Sequence, residues 1–413
     1  MGHPMSLTGM SIDIPTFPRK RRGTANNLRM ASPILPKLSL PQYAALSLLF
    51  LFLVQCLWFM AHISITQVES SYIEDGLLHV GGLVNAGTEY HSPLIPVLAG
   101  VPARAIDPQA NFGHLSEYRL LIRLPFLIAG LLLGASLWYV ARRLYGNFGG
   151  YIALGLYCFS PMVITRSSQV QPDIIGAWGA FGLIFTGIAA AHTLYAPRDV
   201  LFWNWKRILL MGISIALCIG AQWSLWVVLL PTLGFMLWVG HVRRMAALAI
   251  FAAACGVGLV LLWAVFTFRP ATFVGALHAA NWIEFSPAFP SAQSTLTLLW
   301  LFFVQNGLGT LVLLLTSLLT FAVWRRARYF GNAAGLITAV LLIAAGLTMQ
   351  HFAGMEFFFV ALPFLMLFMA GVSADLLETR YAVFANAIIV GVLIANAVVD
   401  MGGLLQLARP LSR

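Results

Sequence analysis

The residues whose types suit chemistry crowd into one stretch, Gln67 to Pro125. It holds Glu69, Glu74, Asp75, His79, Glu89, His91, Asp107, His114, Glu117, Arg119 and Arg123. Only 9% of the 413 residues are charged and 60% are hydrophobic, so that density is out of proportion. Charged groups beside a bilayer cost free energy unless they meet partners or act. Two chemistries fit these residue types. Carboxylates accept or position a proton, and arginines hold phosphate through two parallel hydrogen bonds. The same pair of residue types recurs downstream at Arg166 and Asp173.

The elements that must position these groups are apolar helices. Runs such as Ala44–Met60, Ile174–Ala190, Ala246–Phe266 and Ala334–Leu347 suffice, with their flanks, to cross roughly 30 Å of hydrocarbon. The composition excludes an ordinary soluble domain, in which about a quarter of residues are charged. The net charge of +10 does not point to nucleic acid, because the basic residues sit in short clusters between spans. These are Arg19–Arg22, Arg142-Arg143, Lys206-Arg207, Arg243-Arg244 and Arg325-Arg326, the pattern expected of cytoplasmic loops.

The fold class expected is all-α, a polytopic bundle of about eleven spans. They cover roughly 43–65, 120–141, 148–165, 174–195, two short spans within 208–240, then 245–267, 296–323, 333–349, 357–373 and 381–398. A basic tail, 1–42, precedes the transmembrane domain, 43–398, and a short tail, 399–413, follows it. The tail is expected to be disordered and cytoplasmic, not a cleaved signal. The polar stretch then forms a first outer loop, about 66–119, and a second runs over 268–295. This arrangement puts 17 of the 24 Lys and Arg inside and ten of the 14 acids outside. Acids contribute little to topology, so their outward concentration points to function. The four cysteines have neither metal spacing nor a disulfide framework.

Each candidate has a plainer reading. Glu74 and Asp75 could start a surface helix, where acids favour the N-terminal dipole. Arg123, just before Pro125, could anchor its span at the headgroups, and Arg166 could pair with Asp173 as a structural bridge. His79 and His91 are metal-ligand types, but no tight His-x-x-x-His spacing supports a histidine site. Glu284 lies in the second outer loop among Trp and Phe residues that favour an interface in any case. The alternative there is a flap over a substrate.

The order of motifs resembles the GT-C membrane glycosyltransferases, the superfamily of protein O-mannosyltransferases and bacterial aminoarabinose transferases (glycosyltransferase family 39-like). Their usual pattern has an Asp-Glu pair after the first span, then Gly and His-Pro-Pro-Leu. An Arg-x-Pro-like entry, Arg-x-Leu-x-Gly and a Ser-Arg…Pro-Asp turn follow. Here the corresponding stretches are Glu69…Glu74-Asp75-Gly76, Gly87…His91-Ser92-Pro93-Leu94, Arg123-Leu124-Pro125, Arg142-Arg143-Leu144-Tyr145-Gly146, and Ser160-Pro161…Arg166…Pro172-Asp173. The likeness covers about 65–180. Further on it rests on hydropathy and on Gln350-His351…Pro363. The chain departs from the pattern in its acidic pair, in His91-Ser92-Pro93, and in Met355-Glu356 where a late arginine is usual.

The resemblance implies transfer of a sugar from a polyprenyl-phosphate donor, with inversion, at the extracytoplasmic face of a bacterial inner membrane. It implies a multi-pass protein with a cytoplasmic N-terminus and a periplasmic site. Its partners would be the lipid-linked donor, the membrane, and a lipid, glycan or protein acceptor, with no nucleic acid. Such chemistry assigns catalysis to Asp75, Glu74, Glu69 and Asp173, and the donor phosphate to Arg119, Arg123 and Arg166. His91, His351, Glu284 and Glu356 would line the cavity. The one cofactor expected is a divalent metal ion, with Asp75 and Asp173 as candidate ligands. Two other classes stay open: a catalytically silent GT-C-like subunit, and a lipid or amphiphile transporter or flippase. Against transport, the sequence shows no charged relay in mid-span and no matched pair of broken helices.

Overall fold

The computed structural model describes residues 39–80, 92–106, 115–195, 200–280, 292–348, 353–380 and 382–407. Two compact units divide the chain, Met1–Ser39 and Leu40–Arg413, and everything below belongs to the second. Among the described residues its regular elements are all helical.

The first four helices are α1 (Leu40–His62), α2 (Gln67–Val80), α3 (Leu94–Ile106) and α4 (Leu115–Cys158). Next come α5 (Pro161–Ser167), α6 (Pro172–His192), α7 (Val200–Ala221), α8 (Leu229–Val239) and α9 (Arg244–Val265). The last six are α10 (Pro270–Ala279), α11 (Ala292–Gln305), α12 (Leu308–Val323), α13 (Phe330–Thr348), α14 (Ala353–Leu377) and α15 (Ala382–Leu407). Among the described residues, 8 helical segments have the length and apolarity to cross a membrane. Between α7 and α8 the chain turns at Gln222, in extended conformation, into a 3-10 turn, Trp223–Val228. The two ends of α7 and α8 thereby return toward the same basic side, as the sequence requires of 208–240.

Helix α4 is a hairpin. Its 44 residues would reach ~66 Å if straight, about twice the hydrocarbon thickness. It reverses at Gly146, whose φ of 77° and ψ of −171° only glycine tolerates. The two arms then run side by side: the Tyr157 hydroxyl donates to the Gly130 carbonyl at 2.6 Å, across 27 positions of sequence. Arg142-Arg143 therefore sits beside the reversal that separates the two expected spans.

Helix α14 is the axis of the unit. A run from Phe357 to Val372 is buried almost without interruption, and α4, α6 and α13 pack on it. Helix α15 lies at the periphery and buries little of itself. Some boundaries differ from expectation. Helix α1 begins at Leu40, inside the expected tail, and α15 continues to Leu407, beyond the expected 398. The expected run 296–323 is interrupted at Asn306-Gly307, where Gly307 takes φ 85°. There Asn306 Oδ1 accepts from the Ser160 hydroxyl at 2.9 Å, so the break between α11 and α12 meets the break between α4 and α5. Two helix breaks that no single apolar run announced therefore meet inside the bundle. Their junction is uncharged, and Asn306 Nδ2 is satisfied by the Phe302 carbonyl.

Candidate functional site

Two arginine–carboxylate pairs organise the end of the bundle that carries α2, and they do different things. The first joins α2 to α4. Thr66 and Glu69 form a capping box: Thr66 N donates to Glu69 Oε2 at 2.9 Å, and Glu69 N donates to Thr66 Oγ1 at 3.3 Å. Arg123 meets the same carboxylate as a fork, Nε to Oε1 at 2.9 Å and Nη2 to Oε2 at 2.8 Å. Its remaining donors reach the carbonyls of Met60, Ile63 and Ser64, at 3.0–3.1 Å, capping the end of α1. All five guanidinium donors are thus engaged. Glu69 Oε1 also accepts from Val170 N at 2.9 Å.

Both residues are buried, Arg123 at 1% exposure and Glu69 at 0%. This corrects two expectations. With no free donor Arg123 has nothing to offer a phosphate, and Glu69 is walled off from any acceptor hydroxyl. They tie α1, α2, α4 and the α5–α6 turn together. Arg119, by contrast, is partly exposed and gives one donor, Nη2, to the Ala61 carbonyl at 2.9 Å.

The second pair is open. Arg166, in the last turn of α5, contacts Asp173 in the first turn of α6, Nη1 to Oδ2 at 2.8 Å. The Arg166 side chain is 30% exposed and that of Asp173 is 2% exposed. Gln171 also accepts from Arg166 Nη1. Pro172 occupies the first turn of α6, so the end of α5 and the start of α6 flank this short turn. Asp173 Oδ1 is buried and accepts no hydrogen bond among the described residues.

Glu356, in the first turn of α14, faces this pair. Asp173 and Arg166 both act electrostatically on its carboxyl, and Gln222 donates a hydrogen bond to it. Its Oε2 is buried and takes no partner among the described residues. Helix α2 closes the cluster with Tyr72, which is hydrogen-bonded to Ser92. Burial raises the Tyr72 hydroxyl pKa, and the charges of Glu356, Asp173 and Asp75 raise it further. One phenol therefore feels all three carboxylates. One turn along α2, burial and then the neighbouring Glu74 raise the Asp75 carboxyl pKa from its ordinary value. Glu74 itself points to the exposed face.

Close backbone approach holds α2 in place. A Cβ added at Gly76 would lie 2.1 Å from the Pro96 carbonyl oxygen, and one at Gly100 2.4 Å from that of Gly76. Glycine is required at both positions for α2 and α3 to touch. His79, buried on α2, bonds through Nε2 to the Val265 carbonyl at 2.9 Å, a structural contact. His91, Glu284 and His351 lie outside the described residues. Among the described residues no three His, Cys, Asp or Glu side chains come together at metal-binding spacing. The sequence reading passed over Tyr72 and Gln222. Tyr72 carries a faint signal, standing three residues before Asp75 on one helix face; Gln222 carries none beyond its place in a turn.

Comparison with known proteins follows this geometry. Residues 115–268, which contain the α4 hairpin and the Arg166–Asp173 turn, match the family model for dolichyl-phosphate-mannose-protein mannosyltransferase. Among curated proteins there is no significant match. The structure is similar to ArnT from Cupriavidus metallidurans bound to undecaprenyl phosphate, with TM-score 0.60 and 14% identity over 88% of this chain and 75% of that one. It is also similar to the Archaeoglobus fulgidus oligosaccharyltransferase tethered to an acceptor peptide, with TM-score 0.54 and 13% identity over 88% of this chain. That alignment covers 55% of the archaeal chain, so the present chain spans about half of it. The chain thus shares the fold of these two membrane proteins, and the family-model match lies within residues 115–268 of it.

Proposed function

We propose that the protein transfers a sugar from a polyprenyl-phosphate donor to an acceptor at the extracytoplasmic face of the membrane. One observation carries this reading. The half-exposed Arg166 sits beside the buried Asp173 and Glu356, at the end of the bundle where α2 presents Tyr72 and Asp75. ArnT is described with undecaprenyl phosphate, and the archaeal AglB with dolichol-phosphate and an inhibitory peptide, which supports a polyprenyl-phosphate donor.

The roles follow from exposure. Arg166 alone of this group is a cation that meets solvent, and it receives the donor phosphate, held in place by Asp173. The acceptor hydroxyl attacks the anomeric carbon and the sugar–phosphate bond breaks. The phosphate leaves with the bonding electrons as polyprenyl phosphate, stabilised by Arg166. Asp75 takes the hydroxyl proton; its raised pKa makes it a better base than an ordinary aspartate. A divalent ion fits the open oxygens, Asp173 Oδ1 and Glu356 Oε2, which are hard donors of the type such ions prefer. When bound it would supply further positive charge at the leaving phosphate.

A second reading has its own observation. Glu69, which with Glu74-Asp75 is one of the two matches to the family's first-loop acids, is wholly consumed in structural bonds, as expected of a silent GT-C subunit that binds donor without turning it over. One experiment separates the two. Purified protein in lipid is given a panel of radiolabelled polyprenyl-phosphate sugars, and release or transfer is compared with Asp75→Asn and Arg166→Gln. Turnover that collapses in Asp75→Asn supports the transferase. Donor binding without turnover in the wild type supports the silent subunit. Neither binding nor turnover with any donor overturns both.

A further inference from the structure

Away from that site, α12, α14 and α15 enclose a groove of about 670 Å³. We propose that it binds one anionic phospholipid of the adjoining leaflet, its acyl chain lying in the groove and its phosphate at the arginines of the mouth. The proposal is independent of the transfer reaction.

The wall is hydrocarbon in effect. Val312, Leu319, Leu376, Phe384 and Ile388 line it. Two lining hydroxyls are turned inward to their own helix, Thr316 to the Val312 carbonyl at 2.7 Å and Thr320 to the Thr316 carbonyl at 2.8 Å. They leave methyl groups on the surface. The groove's length fits one leaflet: the lining from Val312 to Trp324 covers ~18 Å of helix at ~1.5 Å per residue, against about 15 Å for half the hydrocarbon.

Charge marks one end as the headgroup end. The lining residue Trp324 is followed by Arg325, Arg326 and Arg328, and the lining residue Thr379 by Arg380. The acids there are Asp375 and Glu378, so four arginines less two acids leave a local charge of +2. Glu378 is paired with Arg326 at 3.1 Å, and Asp375 accepts from Asn332 at 3.0 Å. Arg328 turns back to cap α12 through the carbonyls of Phe321 and Ala322. Arg325 stays exposed beside the interfacial Trp324. A lipid phosphate complements that charge, whereas a zwitterionic headgroup brings its own cation to the same place.

Trp324 reports on the groove. The full chain is reconstituted in phosphatidylcholine containing an equal small fraction of brominated phosphatidylglycerol or brominated phosphatidylcholine. Quenching of Trp324 is read as the difference between wild type and Trp324→Phe. The expected result is quenching by the phosphatidylglycerol about fivefold more effective than by phosphatidylcholine, on the scale of one arginine acting on an anionic lipid. Arg325→Gln/Arg380→Gln, both at the surface, should abolish the preference. Ala385→Leu, which fills the groove, should lower quenching by either lipid. Equal quenching by the two lipids in the wild type, or a preference that survives the arginine changes, overturns the proposal. Quenching by neither lipid overturns it, and disulfide-linked dimers of the Phe384→Cys variant would then assign the groove to a second copy of the chain.

Discussion

Arg123 and Glu69 stand 54 positions apart and meet as a closed fork, with every guanidinium donor engaged and neither side chain open to water. Removing one partner of such a pair strands a buried charge, which costs far more than the pair contributes. Arg123→Ala or Glu69→Ala is therefore expected to destabilise the protein by about 3–5 kcal/mol. Thermal unfolding in detergent measures this. A small loss would mean that the two charges find water.

The Arg166–Asp173 pair should answer unequally. In Asp173→Asn the half-exposed Arg166 keeps its access to solvent, so stability changes little. Arg166→Gln leaves the buried Asp173 without its cation, and stability falls by more. Comparable unfolding temperatures for the two variants would contradict the exposure difference. Both should lower transfer, Arg166→Gln by about a hundredfold or more if it meets the leaving phosphate.

Asp75 sets the pH response. Its folded-state pKa is raised by burial and then by Glu74, so the fold favours the protonated acid. Its contribution to stability is fully present at low pH and is lost as pH rises through the folded pKa. Asp75→Asn removes that loss, and the variant should be no less stable than wild type at neutral pH. Transfer should show an acid limb shifted upward from that of an ordinary aspartate, because a protonated Asp75 cannot accept a proton. Unfolding and turnover profiles of wild type and Asp75→Asn test both signs.

Gly76 and Gly100 bring α2 against α3 with no room for a methyl group. Gly76→Ala must push the two helices apart, at about 1–3 kcal/mol for overpacking. Asp75 is the next residue and Tyr72 one turn back, so turnover should drop together with stability. A variant that keeps full turnover would separate α2 from the reaction.

Much of the architecture was legible because its signals are local. Arg142-Arg143 followed by Gly146 marked the α4 reversal, and the basic ends of 208–240 required a turn near Gln222. The all-helical class followed from apolar runs whose interiors exclude charge. What escaped was longer-range or finer. The interruption at Asn306-Gly307 lies inside an apolar run, and hydropathy averages over a backbone break even where Asn-Gly is itself a turn signal. The fork of Arg123 on Glu69 depends on where α4 passes the end of α1, which no spacing in sequence encodes. The Thr66-x-x-Glu69 capping box was present in the sequence, yet an acid beside a membrane span also fits catalysis, and only its neighbours distinguish the two roles. Tyr72 was hidden for the opposite reason, since an aromatic residue on an amphipathic helix is ordinary until carboxylates from α6 and α14 arrive beside it.

The one-residue reversal at Gly146 bears on how the protein is made. Two membrane-crossing arms joined through a single glycine leave no slack for the first to settle across the bilayer while the second is still outside. The two arms are then expected to enter the bilayer as one closed unit, with Arg142 and Arg143 remaining at the surface beside the turn. The turn that carries Arg166 and Asp173 hangs from the free end of the second arm through Ser160.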